Sequence, residues 1–202
     1  MLRTLLASGG GDAGRLAAVL RRAPLLTEAL RVARGVDAPD WLLNAGAIRD
    51  AVWDAAHGRP PAVPRDIDLG FFDPADLTPG RDAAVEAALR AAAPHLPWEA
   101  KNQAAVHRWY PRVFGAEVPP FRSTAEAVAT FPETASCVGV RLLADDDLLV
   151  VAPYGLGDLL ACVCRHNPAR VPPAFYERRV AEKRWGARWP RMRYIAPAGA
   201  LG

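Results

Sequence analysis

Asp66-Ile67-Asp68-Leu69-Gly70-Phe71-Phe72 alternates polar and apolar residues with the period of two that a strand imposes. Ile67, Leu69 and Phe71 then face a core, while Asp66 and Asp68 project from the other face about 6 to 7 Å apart. Two carboxylates set side by side repel, and a divalent cation offsets the repulsion; hard Mg²⁺ (or Mn²⁺) takes carboxylate and phosphate oxygens. Upstream, Ala45-Gly46-Ala47-Ile48-Arg49-Asp50 opens a helix, because Ala47, Ile48, Ala51, Val52, Ala55 and Ala56 recur at helical spacing until Gly58 ends the run. At Gly46 and Ala47 the free backbone N–H groups and the helix dipole favour a phosphate. Arg49, one turn on, either reaches that phosphate or pairs with Asp50, Asp54 or solvent. A carboxylate pair beside a phosphate cradle is the chemistry of metal-assisted phosphoryl or nucleotidyl transfer.

Working outward, the rest reads as alternating helices and strands. Residues 12–34 are helical, broken at Pro24 and stopped by Gly35. Residues 81–93 form an alanine-rich helix and Trp98 to Ala104 a strand. Ser123 and Glu126 fit a capping box for a helix reaching Phe131. Cys137–Leu143 and Leu148–Ala152 flank the acidic turn 144–147 as a hairpin. Beyond Pro153 the chain is expected to be helical at 156–165 and 174–186. The fold class is therefore α+β with a helical C-terminal part, divided into a flexible lead-in over 1–11, a core over 12–152 and a basic C-terminal part over 153–202 packed on that core.

The 202 residues are 51% hydrophobic and 23% charged, an ordinary globular composition with room for one sizeable core. No apolar run approaches the roughly 18 residues of a membrane span, and the first eleven residues lack the order of a secretory leader, so no membrane partner is expected. Three cysteines, Cys137, Cys162 and Cys164, sit among apolar neighbours and argue for a reducing compartment, by default the cytoplasm. Only Lys101 and Lys183 are lysines, an arginine bias that reflects a GC-rich genome. Residues 1–100 carry 11 basic and 13 acidic groups and the remainder 14 and 9, so an anionic partner belongs to the C-terminal half.

Several further features are weighed against plain structural roles. Gly9, Gly11 and Gly14 match G-x-G-x-x-G, but no strand–helix–strand unit surrounds them, so they are read as lead-in. Cys162, Cys164 and His166 are metal-ligand types, yet on a helix they cannot converge, and structural cysteines with a helix-end histidine are expected. Lys101, Asn102, Gln103 and His107 form a polar cluster; Asn102 and Gln103 suit nucleobase or ribose hydrogen bonding, and a surface strand with a satisfied histidine is the alternative. Residues 165–194 hold nine basic groups, among them Arg178, Arg179, Lys183 and Arg184, interleaved with Trp185, Trp189 and Tyr194. Such a mix suits phosphate contact with stacking, or a solvated face whose aromatic residues pin the tail to the core.

The stretch from Ala45-Gly46-Ala47-Ile48-Arg49-Asp50 through Gly58-Arg59-Pro60 to Arg65-Asp66-Ile67-Asp68-Leu69 resembles the G-G-x-V-R-D, then D-I-D, signature of polymerase-beta-type nucleotidyltransferases, especially tRNA CCA-adding enzymes. Trp53-Asp54, His57-Gly58, Phe72-Asp73, Lys101-Asn102-Gln103, His107, Trp109-Tyr110, Pro153-Tyr154-Gly155-Leu156, Asp158-Leu159 and Trp189-Pro190 are similar to a small bacterial nucleotidyltransferase family within that superfamily, over roughly residues 25–197. The resemblance implies a mixed sheet flanked by helices, with Asp66 and Asp68 holding catalytic metal and a third carboxylate on a neighbouring strand. Glu99, alone on its face of the next strand, is the candidate for the third; the alternative is an exposed strand-edge glutamate. Ala45 stands where the signature has its first glycine, and no base-reading motif of CCA-adding enzymes follows.

These readings converge on a metal-dependent nucleotidyltransferase. It would move an NMP from an NTP to an unknown hydroxyl acceptor and release pyrophosphate, with Asp66, Asp68 and Glu99 at the metal. Gly46, Ala47, Arg49, Lys101, Asn102 and Gln103 would sit on the nucleotide. A small-molecule or protein acceptor is favoured over RNA because the net charge is a modest +3. The alternative is a non-catalytic module of the same fold that binds RNA, nucleotide or a protein partner. A D-x-D glycosyltransferase is disfavoured by the upstream Gly-Ala-Ile-Arg-Asp helix.

Overall fold

A computed structural model describes residues 4–197. The chain begins with β1 (Thr4–Leu6), a 3-10 turn, α1 (Gly11–Arg21) and α2 (Pro24–Arg34). The expected break falls at Pro24, the first residue of α2, where a missing N–H costs no helical bond. There follow β2 (Leu42–Asn44), α3 (Gly46–Ala56), β3 (Ile67–Phe71), α4 (Pro79–Ala92) and β4 (Trp98–Asn102). Next come α5 (Val106–Phe114), α6 (Thr124–Val128) and the hairpin of β5 (Gly139–Leu142) and β6 (Leu148–Val151). The C-terminal part holds α7 (Gly157–Leu160), β7 (Val163–Arg165), α8 (Pro173–Lys183), α9 (Trp185–Arg188) and β8 (Arg193–Ile195).

The main sheet is mixed, with strand order β1-β6-β5-β2-β3-β4. β3 and β4 run parallel, and α4 makes the crossover between them; the other neighbours are antiparallel. Leu43, Ile67, Leu69, Phe71, Trp98, Ala100, Val140 and Val150 point from one face into the main core, which α1, α2 and α3 help to close. On the opposite face Leu42 joins Val128 and Val151 in a smaller cluster. The alternation seen in Asp66–Phe72 thus does what its period demands, with Ile67, Leu69 and Phe71 on the core face and Asp66 and Asp68 on the other.

The structure corrects the expectations in several places. Of the lead-in expected over 1–11, residues 4–6 form an edge strand paired with Leu149–Val151 of β6, while residues 1–3 lie outside the described residues. β2 was not expected; three residues buried on both faces leave no alternation to read. The helix expected over 156–165 stops at Leu160, and Val163–Arg165 pairs in parallel with β8, so the C-terminal part is not wholly helical. The strand from Trp98 ends at Asn102 and gives way to a 3-10 turn and α5. Ser123 does cap α6, accepting from the Glu126 N–H at 3.2 Å, while the Glu126 carboxylate turns back to Arg122.

Trp185 and Trp189 seat the C-terminal part on α3. Both meet Trp53 edge-on, with ring centroids 6.1 and 5.2 Å apart. Tyr176 of α8 is buried and donates to the Cys164 carbonyl, closing β7 against that helix. Among the described residues no helix is long and apolar enough to cross a membrane.

Candidate active site

Strand register builds the site. Asp68 pairs with Glu99 across the parallel β3–β4 ladder. The β2–β3 register pairs Leu43 with Leu69, so the next residue, Asn44, falls beside Asp68. Asn44 in turn pairs with Gly139 of β5. One row therefore crosses four strands on the face away from the main core, in the order Gly139, Asn44, Asp68, Glu99. The third carboxylate expected from the sequence sits directly beside the second aspartate.

Asp66 lies two residues before Asp68, against the start of α3. A Cβ added at Gly46 would stand 3.7 Å from Asp66 Oδ1 and 4.0 Å from an Arg49 terminal nitrogen. Gly46 and Ala47 open α3 ahead of its first helical bond, from the Arg49 N–H to the Ala45 carbonyl. Their N–H groups belong to the helix end that favours an anion. Ala45 makes this turn with φ 51 and ψ −112, a conformation suited to glycine, and accepts the strain of a side chain there.

The surroundings perturb Asp68. Burial, then the charges of Asp66 and Glu99, push the Asp68 carboxyl up to about 6, against the opposing pull of Arg179 and Arg49. Among the described residues no three His, Cys, Asp or Glu side chains converge as a ready-made metal cage. The donor set still fits Mg²⁺, which is commonly held by one or two carboxylates with substrate phosphates completing its octahedron.

Arg49 lies under this site but is already engaged. It is 6% exposed, its guanidinium donates to Asp50 at 2.7 Å and to Ser136 Oγ at 2.9 Å, and it stacks 4.5 Å from the Trp185 ring. Ser136 Oγ donates to the fully buried Glu133, which also holds Arg179 of α8. Of the two roles expected for Arg49, the one seen is pairing, and it anchors a buried chain of alternating charges running to Arg179. Glu133 and Ser136 gave no sequence signal, because their meaning depends on a guanidinium 46 residues away from Glu133 in the chain.

Arg179 lines a cleft of about 340 Å³ together with Asp68, Glu99, Lys101 and Gln103. Its walls are aromatic, from Trp109, Tyr110 and Phe114 of α5 to Phe131 and Phe175. Lys101, which also pairs with Asp82 at 3.4 Å, and Gln103 thus line the same cleft as Asp68. Asn102 does not. It is 1% exposed; its Oδ1 accepts from the Asp73 and Ala104 N–H groups and its Nδ2 donates to the Asp73 and Asp76 carbonyls, so a full set of internal bonds removes it from ligand contact. His107 packs with a buried Nδ1 that lacks a partner among the described residues.

The basic run 165–194 divides. Arg165 is paired with Asp158, Arg188 with Asp54 and Arg179 with Glu133, while Arg170 stacks on Tyr110 and Phe121 at 4.9 and 4.4 Å. Arg178 makes a loose exposed pair with Glu182 at 3.9 Å. The aromatic residues Trp185 and Trp189 pin the tail to the core. Cys162 and Cys164 are buried, and Cys164 lies on β7 rather than on a helix.

Comparison with known proteins adds three findings. A family model described as nucleotidyltransferase matches residues 31–194. A structure solved by NMR and described as revealing a CCA-adding enzyme head domain superposes with a TM-score of 0.77 at 26% identity, covering 93% of this chain and 97% of that one. A CCA-adding enzyme in complex with CTP superposes with a TM-score of 0.56 at 15% identity; it covers 96% of this chain, which spans 44% of the enzyme's length, and shares the fold. A comparison with curated proteins finds no match.

Proposed function

Since the chain belongs to the nucleotidyltransferase family, we propose that it is a metal-dependent enzyme that moves an NMP from an NTP to a hydroxyl acceptor and releases pyrophosphate. The observation that carries this reading is the row in which Asp68 stands beside Glu99, with Asp66 on the same strand and the start of α3 against it. Asp66 and Asp68 would hold Mg²⁺ or Mn²⁺, with Glu99 completing the set. When bound, the cation supplies positive charge that offsets the carboxylates and polarises phosphoryl oxygens.

The chain's own groups divide the remaining work. The N–H groups of Gly46 and Ala47 receive triphosphate oxygens. Glu99, exposed on the outer strand of the row, accepts the proton of the acceptor hydroxyl as its oxygen attacks the α-phosphorus and the bond to the pyrophosphate oxygen breaks. Arg179, held by Glu133, presents positive charge to the cleft. A cleft of 340 Å³ walled by aromatic rings suits a small acceptor or a single side chain better than a polynucleotide.

Incubating the protein with each of the four NTPs, Mg²⁺ or Mn²⁺ and panels of small-molecule, protein and RNA acceptors, and following pyrophosphate, tests this directly. Metal-dependent release that requires an acceptor is expected. Release that persists in EDTA would overturn it.

A further inference from the structure

Asn44 is 3% exposed, yet among the described residues its Oδ1 has no hydrogen-bond partner. A buried amide oxygen left in this state costs stability and is uncommon in native structures. The surroundings are nevertheless shaped to hold the carboxamide. A Cβ added at Gly70 would lie 2.4 Å from Asn44 Nδ2, and one added at Gly139 would lie 2.9 Å from Oδ1. Glycines on both neighbouring strands thus leave the one space into which this amide fits. Gln103 brings a second amide to the same place, 3.3 Å from the Gly70 position, and both residues line the cleft.

We infer that Asn44, with Gln103 beside it, is the hydrogen-bonding floor that receives the nucleoside of the NTP. Asn44 Oδ1 accepts from a donor on that nucleoside, a ribose hydroxyl or a base amino group, and the base ring lies against Trp109 and Tyr110. The assignment rests on the nucleotidyltransferase reading. It falls to the nucleoside rather than the acceptor because of the order across the sheet: Asn44 runs directly into the Ala45-Gly46 turn, on the phosphate side of Asp68, whereas Glu99 is on the opposite side. A triphosphate seated at Gly46 leaves its nucleoside nearest β2. Asn44 is therefore a specificity-determining residue.

The test measures dissociation constants of the four NTPs and of tripolyphosphate, each with Mg²⁺, for the wild type, Asn44→Ala and Asn44→Leu, with the unfolding midpoint of each protein. Both variants are expected to bind NTP at least tenfold more weakly and tripolyphosphate, which has no nucleoside, as the wild type does. Asn44→Leu keeps the branched shape and removes the unpartnered oxygen, so its midpoint should stay near that of the wild type. Unchanged NTP affinity in both variants overturns the assignment, and so does an equal loss for NTP and tripolyphosphate. Analogues tested on the wild type need no folded variant: loss of affinity for 2′- or 3′-deoxy NTPs assigns the donor to the ribose, and loss for NTPs lacking an exocyclic amine assigns it to the base. Full affinity for every such analogue overturns the floor. If the wild type binds no NTP with Mg²⁺ or Mn²⁺, the nucleotidyltransferase reading itself falls.

Discussion

Asp54 and Asp68 are both drawn out of water, and the protein treats them in opposite ways. Asp54, 2% exposed on α3, accepts from the Trp189 indole at 2.9 Å, from Arg188 at 2.8 Å and from the Ala62 N–H at 3.2 Å. Asp68 is pushed by burial and by the charges of Asp66 and Glu99, which outweigh Arg179 and Arg49, and its pKa rises to about 6. The first arrangement is what a fold does with a buried charge when only stability matters. The second keeps like charges together at a cost, and acids perturbed in this way cluster at functional sites.

The sharpest way to break this contrast is Asp68→Asn. Removing one ligand charge with almost no change of volume should lower pyrophosphate release roughly 10³-fold or more, about 4 kcal/mol of barrier. Steady-state rates with saturating Mg²⁺ and NTP measure it. A folded variant that turns over at the wild-type rate would exclude Asp68 from the chemistry.

Asp54→Ala attacks the other side of the comparison. It leaves the Trp189 indole N–H buried without a partner and weakens the hold on Arg188, which keeps its longer contact to Asp50 at 3.6 Å and its place over the Trp189 ring. A loss of about 3 kcal/mol of folding stability is expected, seen in chemical denaturation. Because Trp185 and Trp189 join the C-terminal part to α3, the unfolding signal should include early exposure of these tryptophans.

Asp68→Asn should also make the metal-free protein more stable, and the pH dependence fixes the sign. The folded-state pKa of Asp68 is raised from 3.8 to about 6, so the native form holds a proton that the unfolded form has lost across that window. Wild-type stability therefore falls as pH rises from about 4 to 6, and the full cost is present above 6. Two pKa units correspond to about 2–3 kcal/mol. The stability gained by the variant should be near zero at pH 4 and complete by pH 7, measured in EDTA. A gain independent of pH would place its origin elsewhere.

How much of this could be read from the chain follows from how local each feature is. Asp66, Asp68, Gly46 and Ala47 stand within short motifs whose period fixes their faces, and Glu99 needed only the expectation of a neighbouring strand. Asn44 lies next to the Ala45-Gly46 turn and carries no signal in the sequence, because its surroundings are set by Gly70 and Gly139 from two other strands. The Arg49–Ser136–Glu133–Arg179 chain draws on four separate segments, so no spacing announces it. β7 reads as helix in the sequence because a short apolar run carries neither period clearly, and the turn at Cys162, with φ 53, is invisible to composition. Asn102 shows the reverse error: an amide beside polar neighbours looked free, and its partners came from the 73–76 loop.

The smallest effect concerns the residue that departs from the glycine pair of the signature. Ala45 holds φ 51 and ψ −112, where an L side chain is crowded by its own backbone. Replacing it by glycine removes roughly 1–2 kcal/mol of strain and adds about 0.4–1 kcal/mol of unfolded-state entropy. Ala45→Gly should therefore gain between about 0 and 1.6 kcal/mol, an increase of at most a few degrees in the unfolding midpoint of a chain this size. The same change loosens the turn that carries Gly46, so the variant also asks whether the strain serves the site. If the alanine only happens to occupy the position, NTP affinity with Mg²⁺ should stay within twofold while stability rises. If its rigidity holds the first N–H groups of α3 in place, affinity should fall as stability rises, and the opposition already seen at Asp68 would extend to the backbone.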